Sequence, residues 1–343
     1  MKSKKHLIIG GAGFIGSNLA SHLLKRNGSV TIFDNFSRQG TLLNLKWLQA
    51  NYPNIRVVRG DIRFDQKKLE DETKKADIIY HLAAQVAVTT SVINPREDFE
   101  INALGTFNVL EAVRKSKNKP ILIYSSTNKV YGQMDDVEII EGAKNYQYKN
   151  FPEGVSEERP IDFHSPYGCS KGAGDQYVRD YARIYGIRTI VFRQSCIYGP
   201  RQFGIEDQGW VAWFAIASVL NKPITIFGDG KQIRDILYVD DLIGAFESAI
   251  SNIEKTKGKI YNIGGGPKNT MSLLMLISRL EKLLAKKIKY SFSDWRAGDQ
   301  RVFVSDISKA KKDFNWEPKI SVEQGVKNLF LWVKDNKDLF KNL

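Results

Sequence analysis

A short apolar run, Leu7-Ile8-Ile9, passes directly into Gly10-Gly11-Ala12-Gly13-Phe14-Ile15-Gly16, and residues 17–24 continue at helical spacing. Strand, glycine turn and helix in that order leave few folds open. The turn lets backbone N–H groups reach a pyrophosphate, and the helix N-terminus adds partial positive charge. Gly10, Gly13 and Gly16 read G-x-x-G-x-x-G rather than G-x-G-x-x-G, so the pattern takes its meaning from its context. A second strand, Val30-Thr31-Ile32-Phe33, ends in Asp34, eighteen residues after Gly16. An acid there accepts hydrogen bonds from an adenosine ribose and repels a 2′-phosphate, which predicts NAD rather than NADP. Arg38 is the one neighbour that speaks for NADP.

Strand-like runs recur at 55–59, 78–82, 121–125 and 189–193, with helical patterns between them, notably 97–115 and 166–185. This alternation predicts an α/β fold: a Rossmann-like, doubly wound parallel sheet with ligands beyond the carboxyl ends of its strands. Residue 193 closes the regular rhythm. Gly-, Pro- and aromatic-rich loops at 198–214, 227–234 and 294–301 then separate shorter helices. The expected division is a dinucleotide-binding domain over 1–193, with 231–263 returning to it. A smaller α/β substrate domain takes 194–230 and 264–343. The polar stretch 133–164 is expected as a long loop, either covering the site or lying on the surface.

Tyr167 and Lys171 stand four residues apart, which on a helix places both side chains on one face about 5–6 Å apart at Cβ. A phenol ionises near pH ~10, and a neighbouring ammonium pulls that value down. A tyrosine tuned in this way takes a hydroxyl proton while hydride leaves the same carbon. The spacing alone is common. The nucleotide-binding signature upstream gives it weight.

With 343 residues and 42% hydrophobic content, the chain has room for a large core. It holds no run near the ~20 apolar residues of a membrane span. The basic start Met1-Lys2-Ser3-Lys4-Lys5 mimics a secretion signal, but cleavage there would destroy the first strand and turn. Cys169 and Cys196 imply neither a disulfide framework nor a metal site, and four scattered histidines add no ligand cluster. A cytoplasmic protein is expected. Net charge is +13, yet the excess is dispersed surface lysine with no basic run interleaved with aromatics, which disfavours nucleic acid. A positive field draws an anionic sugar nucleotide equally well.

The chain resembles the extended short-chain dehydrogenase/reductase family that acts on nucleotide sugars, nearly end to end. The resemblance rests on the glycine turn, Gly60-Asp61-Ile62, His81-Leu82-Ala83-Ala84-Gln85, residues 125–132, Tyr167 with Lys171, Tyr198-Gly199-Pro200-Arg201-Gln202 and Arg296-Ala297-Gly298-Asp299. Ile9 departs from the usual Thr, and Cys196 stands where many members have Asn. The resemblance implies that Gly10, Gly13, Phe14, Ile15 and Gly16 hold the NAD pyrophosphate. Asp34, Asn35, Ser37, Arg38, Asp61 and Ile62 would surround its adenosine. Leu82, Ala83, Ala84, Gln85, Asn102, Ser125 and Gln194, with Tyr167 and Lys171, would complete the cofactor site. NAD would stay tightly bound and be regenerated in each turnover.

Dehydratases of this family read Thr-Asp-Glu where this chain has Thr127-Asn128-Lys129. Losing water needs a proton delivered and another removed, and Asn128 has none to give. Epimerisation by oxidation and re-reduction needs only a base, a hydroxyl partner and NAD. Tyr167 would be the base, Thr127 its partner at the reacting oxygen, and Lys171 the holder of the nicotinamide ribose that lowers the tyrosine pKa. Residues 126–132, 165–172, 201–203, 207–210 and 299–303, with Thr89-Thr90-Ser91, resemble the branch that inverts carbon 2 of CDP-sugars. By that likeness Thr127, Asn128, Cys196, Arg201, Gln208, Gly209, Trp210 and Phe227 contact substrate, Arg234 and Arg296 clamp the diphosphate, and Asp299 meets the nucleotide ribose. Trp213 reads as core. The sugar nucleotide would be a CDP-sugar, with GDP and UDP open. A homo-oligomer, dimer or tetramer, is implied through helices 97–115 and 166–185. A UDP-hexose 4-epimerase and a non-catalytic nucleotide- or RNA-binding protein are the competing readings.

Overall fold

Seven parallel strands form the central sheet of the computed structural model, which describes residues 4–296 and 298–341. In chain order they are β1 (Lys5–Ile9), β2 (Ser29–Asp34), β3 (Arg56–Arg59), β4 (Ile78–His81), β5 (Ile121–Thr127), β6 (Thr189–Gln194) and β7 (Lys259–Ile263). Their spatial order is β7-β6-β5-β4-β1-β2-β3. Every pairing is parallel. The direction of winding reverses between β1 and β4, which opens a crevice at their carboxyl ends.

The inner strands are mostly apolar because both faces are covered, as parallel sheets require, while the edge strand β3 (Arg-Val-Val-Arg) exposes both its ends. Successive residues sort into two layers. Ile8, Ile32, Ile78, Tyr80, Ile121, Ile123, Ile190 and Phe192 join one core. Leu7, Ile9, Phe33, Ile79, Leu122, Tyr124 and Val191 join the other. Each fully buried side chain of this size contributes about 1.5–3 kcal/mol.

Helix α1 (Phe14–Lys25) leaves the glycine turn and buries Leu19, Ala20 and Leu23. Gly10 has φ +84°, and a Cβ there would lie 2.6 Å from the Ala83 nitrogen. Only glycine lets β1 and the segment after β4 approach so closely. Helix α2 (Gly105–Lys115) follows a short helix (Pro95–Phe99) and a π-helical turn (Glu100–Leu104). The expected uninterrupted helix over 97–115 therefore carries one widened turn, which swings Asn102 inward.

Helix α3 (Pro166–Tyr185) begins at Ser165, whose hydroxyl accepts from the Gly168 N–H at 3.0 Å. Pro166 suits the first turn, and Gly186 at φ +64° ends the helix. A Cβ at Gly174 would meet the Tyr124 hydroxyl at 2.4 Å, so this position lets α3 lie directly on β5.

Strand Ile233–Tyr238 centres a small sheet with Cys196–Tyr198, Thr270–Ser272 and Val302–Phe303. Ile224–Phe227 pairs with Tyr290–Ser293. The apolar helix α4 (Trp210–Leu220) is buried along most of its length, with Trp213 packed at its margin. Within 231–263, Ile233–Tyr238 lies in the small sheet. Helix α5 (Val239–Ser251) sends Phe246 against Phe192, with centroids 5.6 Å apart, and β7 completes the large sheet.

Residues 133–164 form neither a cover nor a loose insert. They contain a hairpin (Ile139–Glu141 with Tyr146–Tyr148), bury Met134, Tyr146 and Val155, and tie to the small sheet through Val155 N–H donating to Val304 O at 2.8 Å. None of them lines the cavity described next. Among the described residues no helix is long and apolar enough to cross a membrane. Residues 1–3 and Ala297 lie outside the described residues.

Candidate active site

A cavity of about 390 Å³ opens between the carboxyl ends of β4, β5 and β6 and the elements after residue 194. Three features of the preceding chain bring its catalytic candidates together. β5 ends in Thr127. The N-cap at Ser165 starts α3 two residues before Tyr167. One helical turn later the same face presents Lys171. Thr127 lies near enough to the Tyr167 phenol to draw its pKa down; its hydroxyl donates to Asn128 Oδ1 at 3.4 Å and accepts the Lys129 N–H at 3.2 Å. Ser91 Oγ accepts the Tyr167 N–H at 3.2 Å.

Lys171 points elsewhere than expected. Its ammonium donates to Ser125 O at 2.5 Å and lies 4.3 Å from the Tyr124 ring centroid. Burial pushes its pKa down to about 7, against the pull of Asp175 and Asp98. Burial likewise pushes Tyr167 up to about 12, while Thr127 and Arg38 draw it down. The sequence-based expectation that Lys171 lowers the tyrosine pKa is thus corrected. Desolvation governs both groups in the protein alone, and Lys171 spends its hydrogen bond on the backbone of β5.

The dinucleotide residues divide. Phe14, Ile15, Leu82, Ala84, Ser125 and Gln194 line the cavity with Tyr167 and Lys171. Gly10, Gly13 and Gly16 form the tight turn beside it. A Cβ at Gly16 would lie 2.3 Å from Gly10 O. Asp34 accepts from the Ala12 and Phe36 N–H groups at 2.9 and 2.8 Å, which fixes its carboxylate at the mouth of the turn. Asn35 donates to Asp61 at 2.8 Å and accepts from the Ser37 N–H. Asp61 is pulled down to about 2 by hydrogen bonds from Arg63 and Asn35, which outweigh desolvation. Arg38 reaches across to Gln208 Oε1 at 2.7 Å. Ile62 turns its side chain into the core against the Gly105 backbone.

Ala83 and Gln85 do not line the cavity, and the Gln85 amide folds back onto Ala87. Asn102 also stays out of it. The π-helical turn buries Asn102, which clasps both backbone groups of Gln85 at 3.0 and 3.1 Å and meets Asp98 and Ser170. It shapes the wall from behind.

Of the substrate candidates, Thr127, Asn128, Cys196, Gln208, Gly209, Trp210, Phe227, Arg234, Arg296 and Asp299 all line the cavity. Arg201 does not. Its guanidinium stacks 4.2 Å from the Trp47 ring centroid, because a positive φ of 66° turns it outward, and Gln202 lines the cavity instead. Arg234 pairs with Asp299 at 2.6 Å. Arg296 pairs with Asp207 at 2.9 Å and lies 3.7 Å from the Phe227 ring centroid. Burial pushes the Cys196 thiol up.

In the sequence Lys129 stands only where an acid is missing, yet it lines the cavity and donates to Gly298 O at 3.2 Å. Burial, with the neighbouring Arg234 charge, pushes its pKa down to about 8. Its place in a turn after β5 was legible, but the 169-residue reach to Gly298 was not.

The comparisons accord with this geometry. Residues 7–329 match the family model described as GDP-mannose 4,6 dehydratase. The chain is 47% identical over 335 residues to CDP-paratose 2-epimerase of Salmonella typhi, covering 96% of this chain and 99% of that one. The chain belongs to the extended short-chain dehydrogenase/reductase family. Another family relative, a putative UDP-glucose 4-epimerase of Methanocaldococcus jannaschii, is 35% identical, with 96% of this chain and 98% of that one covered. UDP-glucuronic acid 4-epimerase of Bacillus cereus, solved with UDP-glucuronic acid and NAD, superposes with a TM-score of 0.82 at 31% identity, covering 96% and 99% of the two chains. This is an NAD-dependent family, and the chain's own residues fit that cofactor. A Cβ at Gly10 or Gly16 would strike the chain's own backbone, so glycine keeps the turn tight at the N-terminus of α1, where a pyrophosphate is favoured, and Asp34 waits at its mouth. Gln194 Nε2 and Thr89 Oγ1 are buried at the cavity wall without a hydrogen-bond partner among the described residues.

Proposed function

We propose that the protein is an NAD-dependent nucleotide-sugar 2-epimerase of the CDP-paratose/CDP-tyvelose type. The observation that carries this reading is the wall of the cavity after β5. Thr127 and Tyr167 line it side by side, and the two residues after Thr127 are Asn128 and Lys129, neither an acid. Among the described residues the carboxylates of the lining are Glu206, Asp207 and Asp299, and the latter two are paired with arginines at the far side. The wall after β5 can take a proton from a hydroxyl and return it, but unlike Thr-Asp-Glu it carries no acid beside Thr127 to expel water. The 47% identity over nearly the whole chain supports the choice of carbon 2.

In this reading Tyr167 removes the proton of the carbon-2 hydroxyl, and Thr127 orients that oxygen and passes the proton. NAD, when bound, supplies the hydride acceptor and donor for that carbon, and it stays tightly bound and is regenerated in each turnover. Lys171 holds the cofactor ribose. The sugar ketone turns over within the cavity, while Arg234 and Arg296 keep hold of the diphosphate through their planar forks. Gly10, Gly13, Gly16 and Asp34 seat the dinucleotide, with 1–193 and 239–263 forming the part that serves NAD and 194–238 and 264–343 the part that serves the nucleotide sugar. In this reading the protein works in the cytoplasm. Phe99, Phe107, Tyr177 and Ile184 leave an exposed apolar stripe on α2, α3 and the short helix before them, which supports a homo-oligomer through that face.

The test is proton NMR of the purified protein, with no NAD added, on CDP-paratose, CDP-glucose, GDP-mannose and UDP-glucose in turn. Inversion at carbon 2 is expected, with no solvent deuterium at that carbon in D₂O. Inversion at carbon 4 would move the protein to the hexose 4-epimerases, and no change in any sugar would return it to the binding proteins.

A further inference from the structure

One cavity residue has no part in the scheme above. Lys129 lies two residues after Thr127, and its backbone N–H is tied to the Thr127 hydroxyl at 3.2 Å. Its ammonium leaves the catalytic pair and points toward Gly298 O, beside the Arg234–Asp299 pair. Of three ammonium donors, Gly298 O takes one, the single hydrogen-bond acceptor it meets among the described residues. A cation therefore bridges the space between the reacting-hydroxyl position and the diphosphate clamp.

That placement has a chemical consequence. In a nucleotide sugar the diphosphate hangs on carbon 1. Carbon 2 is bonded to carbon 1, so bringing its hydroxyl to Tyr167 also brings the sugar-side phosphate close to the catalytic pair. Carbon 4 lies across the ring, and bringing it to the same place carries the phosphate away. A cation anchored beside Thr127 favours the first pose over the second, because its attraction for phosphate strengthens where water is excluded. We propose that Lys129 selects the reacting carbon: its ammonium binds the sugar-side phosphate and so holds carbon 2, rather than carbon 4, at Thr127 and Tyr167. The inference rests on the nucleotide-sugar reading and makes Lys129 a specificity-determining residue within it.

The test separates that phosphate from the rest of the ligand. Wild type, Lys129→Met and Lys129→Arg, each with its bound NAD quantified as a check on folding, are titrated with CDP and CMP, UDP and UMP, and GDP and GMP. For the base it accepts, the wild type is expected to prefer the diphosphate. Lys129→Met is expected to lose roughly 10- to 100-fold in diphosphate affinity, the range for a hydrogen bond to a charged group, with the monophosphate unchanged. Lys129→Arg should keep most of the preference. An undiminished diphosphate preference in Lys129→Met overturns the proposal while leaving the epimerase reading intact. So does a Lys129→Met enzyme that still inverts only carbon 2 at the wild-type kcat. A wild type that binds none of the three diphosphates overturns the nucleotide-sugar reading itself.

Discussion

Tyr167 and Lys171 are each held where burial penalises the charged form, and the two penalties have different consequences. Replacing Tyr167 by Phe keeps the ring in its pocket but removes the proposed base. Turnover is expected to fall about 10²–10⁴-fold with bound NAD unchanged, measured by single-turnover NMR on the accepted sugar nucleotide. Lys171 carries a stability cost. Its pKa in the fold is about 7, against an ordinary lysine value of 10.5. Between those values the unfolded chain binds more protons, so the contribution of this group to stability rises with pH across that window. Below pH 7 the cost is complete. Lys171→Met is therefore expected to abolish turnover yet stabilise the protein by roughly 2–4 kcal/mol at pH 6, with the gain vanishing near pH 10.5. Urea titrations at several pH values give the answer, and a gain that does not shrink with pH would place the effect in packing instead.

At the scale of elements, the catalytic strand β5 is fixed to α3 and β6 by a buried ionic network. Arg193 and Asp175 pair at 2.9 Å with almost no exposure, and Asp175 also accepts from Ser126 Oγ at 2.9 Å. Arg193 further donates to Tyr131 at 3.1 Å. Removing one partner of a buried pair strands the other charge, so Arg193→Met should cost about 3–5 kcal/mol by chemical denaturation. The double change Arg193→Met with Asp175→Asn should recover much of that loss, because no uncompensated charge remains. Equal instability of single and double variants would show that packing around Arg193, rather than its charge, holds the network. A second network, Asp98 with Ser170 and Asn102, performs the same service for the loop after β4.

For the whole molecule, two surface properties have measurable consequences. The exposed stripe combines Phe107 (37% exposed), Tyr177 (50%) and Ile184 (66%), with Phe107 and Tyr177 in edge contact at 5.9 Å. Phe107→Glu with Ile184→Glu is expected to convert the proposed homo-oligomer to monomer in sedimentation velocity, since each carboxylate would have to be buried unpaired in that assembly. A wild type that sediments as a monomer would remove that face from assembly. Net charge of +13 should also draw a doubly anionic substrate from a distance. The apparent KM should then rise with salt between low ionic strength and about 0.15 M, where the Debye length shortens to ~8 Å. A salt-independent KM would confine the attraction to the arginines of the cavity.

What the sequence determined by itself was whatever depends on local spacing. The run from Leu7 to Gly16 can hardly be other than strand, turn and helix, and the alternation downstream requires a parallel sheet covered on both faces. Tyr167 and Lys171 share a helix face because they are four residues apart, and Ser165-Pro166 start that helix where they do. Tertiary structure alone decided which motif residues meet. Arg201 and Gln202 are adjacent in one motif, and a left-handed backbone at Arg201 sends one outward and the other into the cavity. Asn102 sits on a face that a regular helix would not turn inward, and one widened turn buries it behind the wall. The stretch 133–164 reads as polar loop because its few buried residues find partners in other segments: Val130 and Tyr131 after β5, Asn262 in β7 and the small sheet. Protonation is the least local property of all. The shifts at Tyr167, Lys171 and Lys129 arise from the water that other segments exclude, and that exclusion exists only once the whole chain has closed around them.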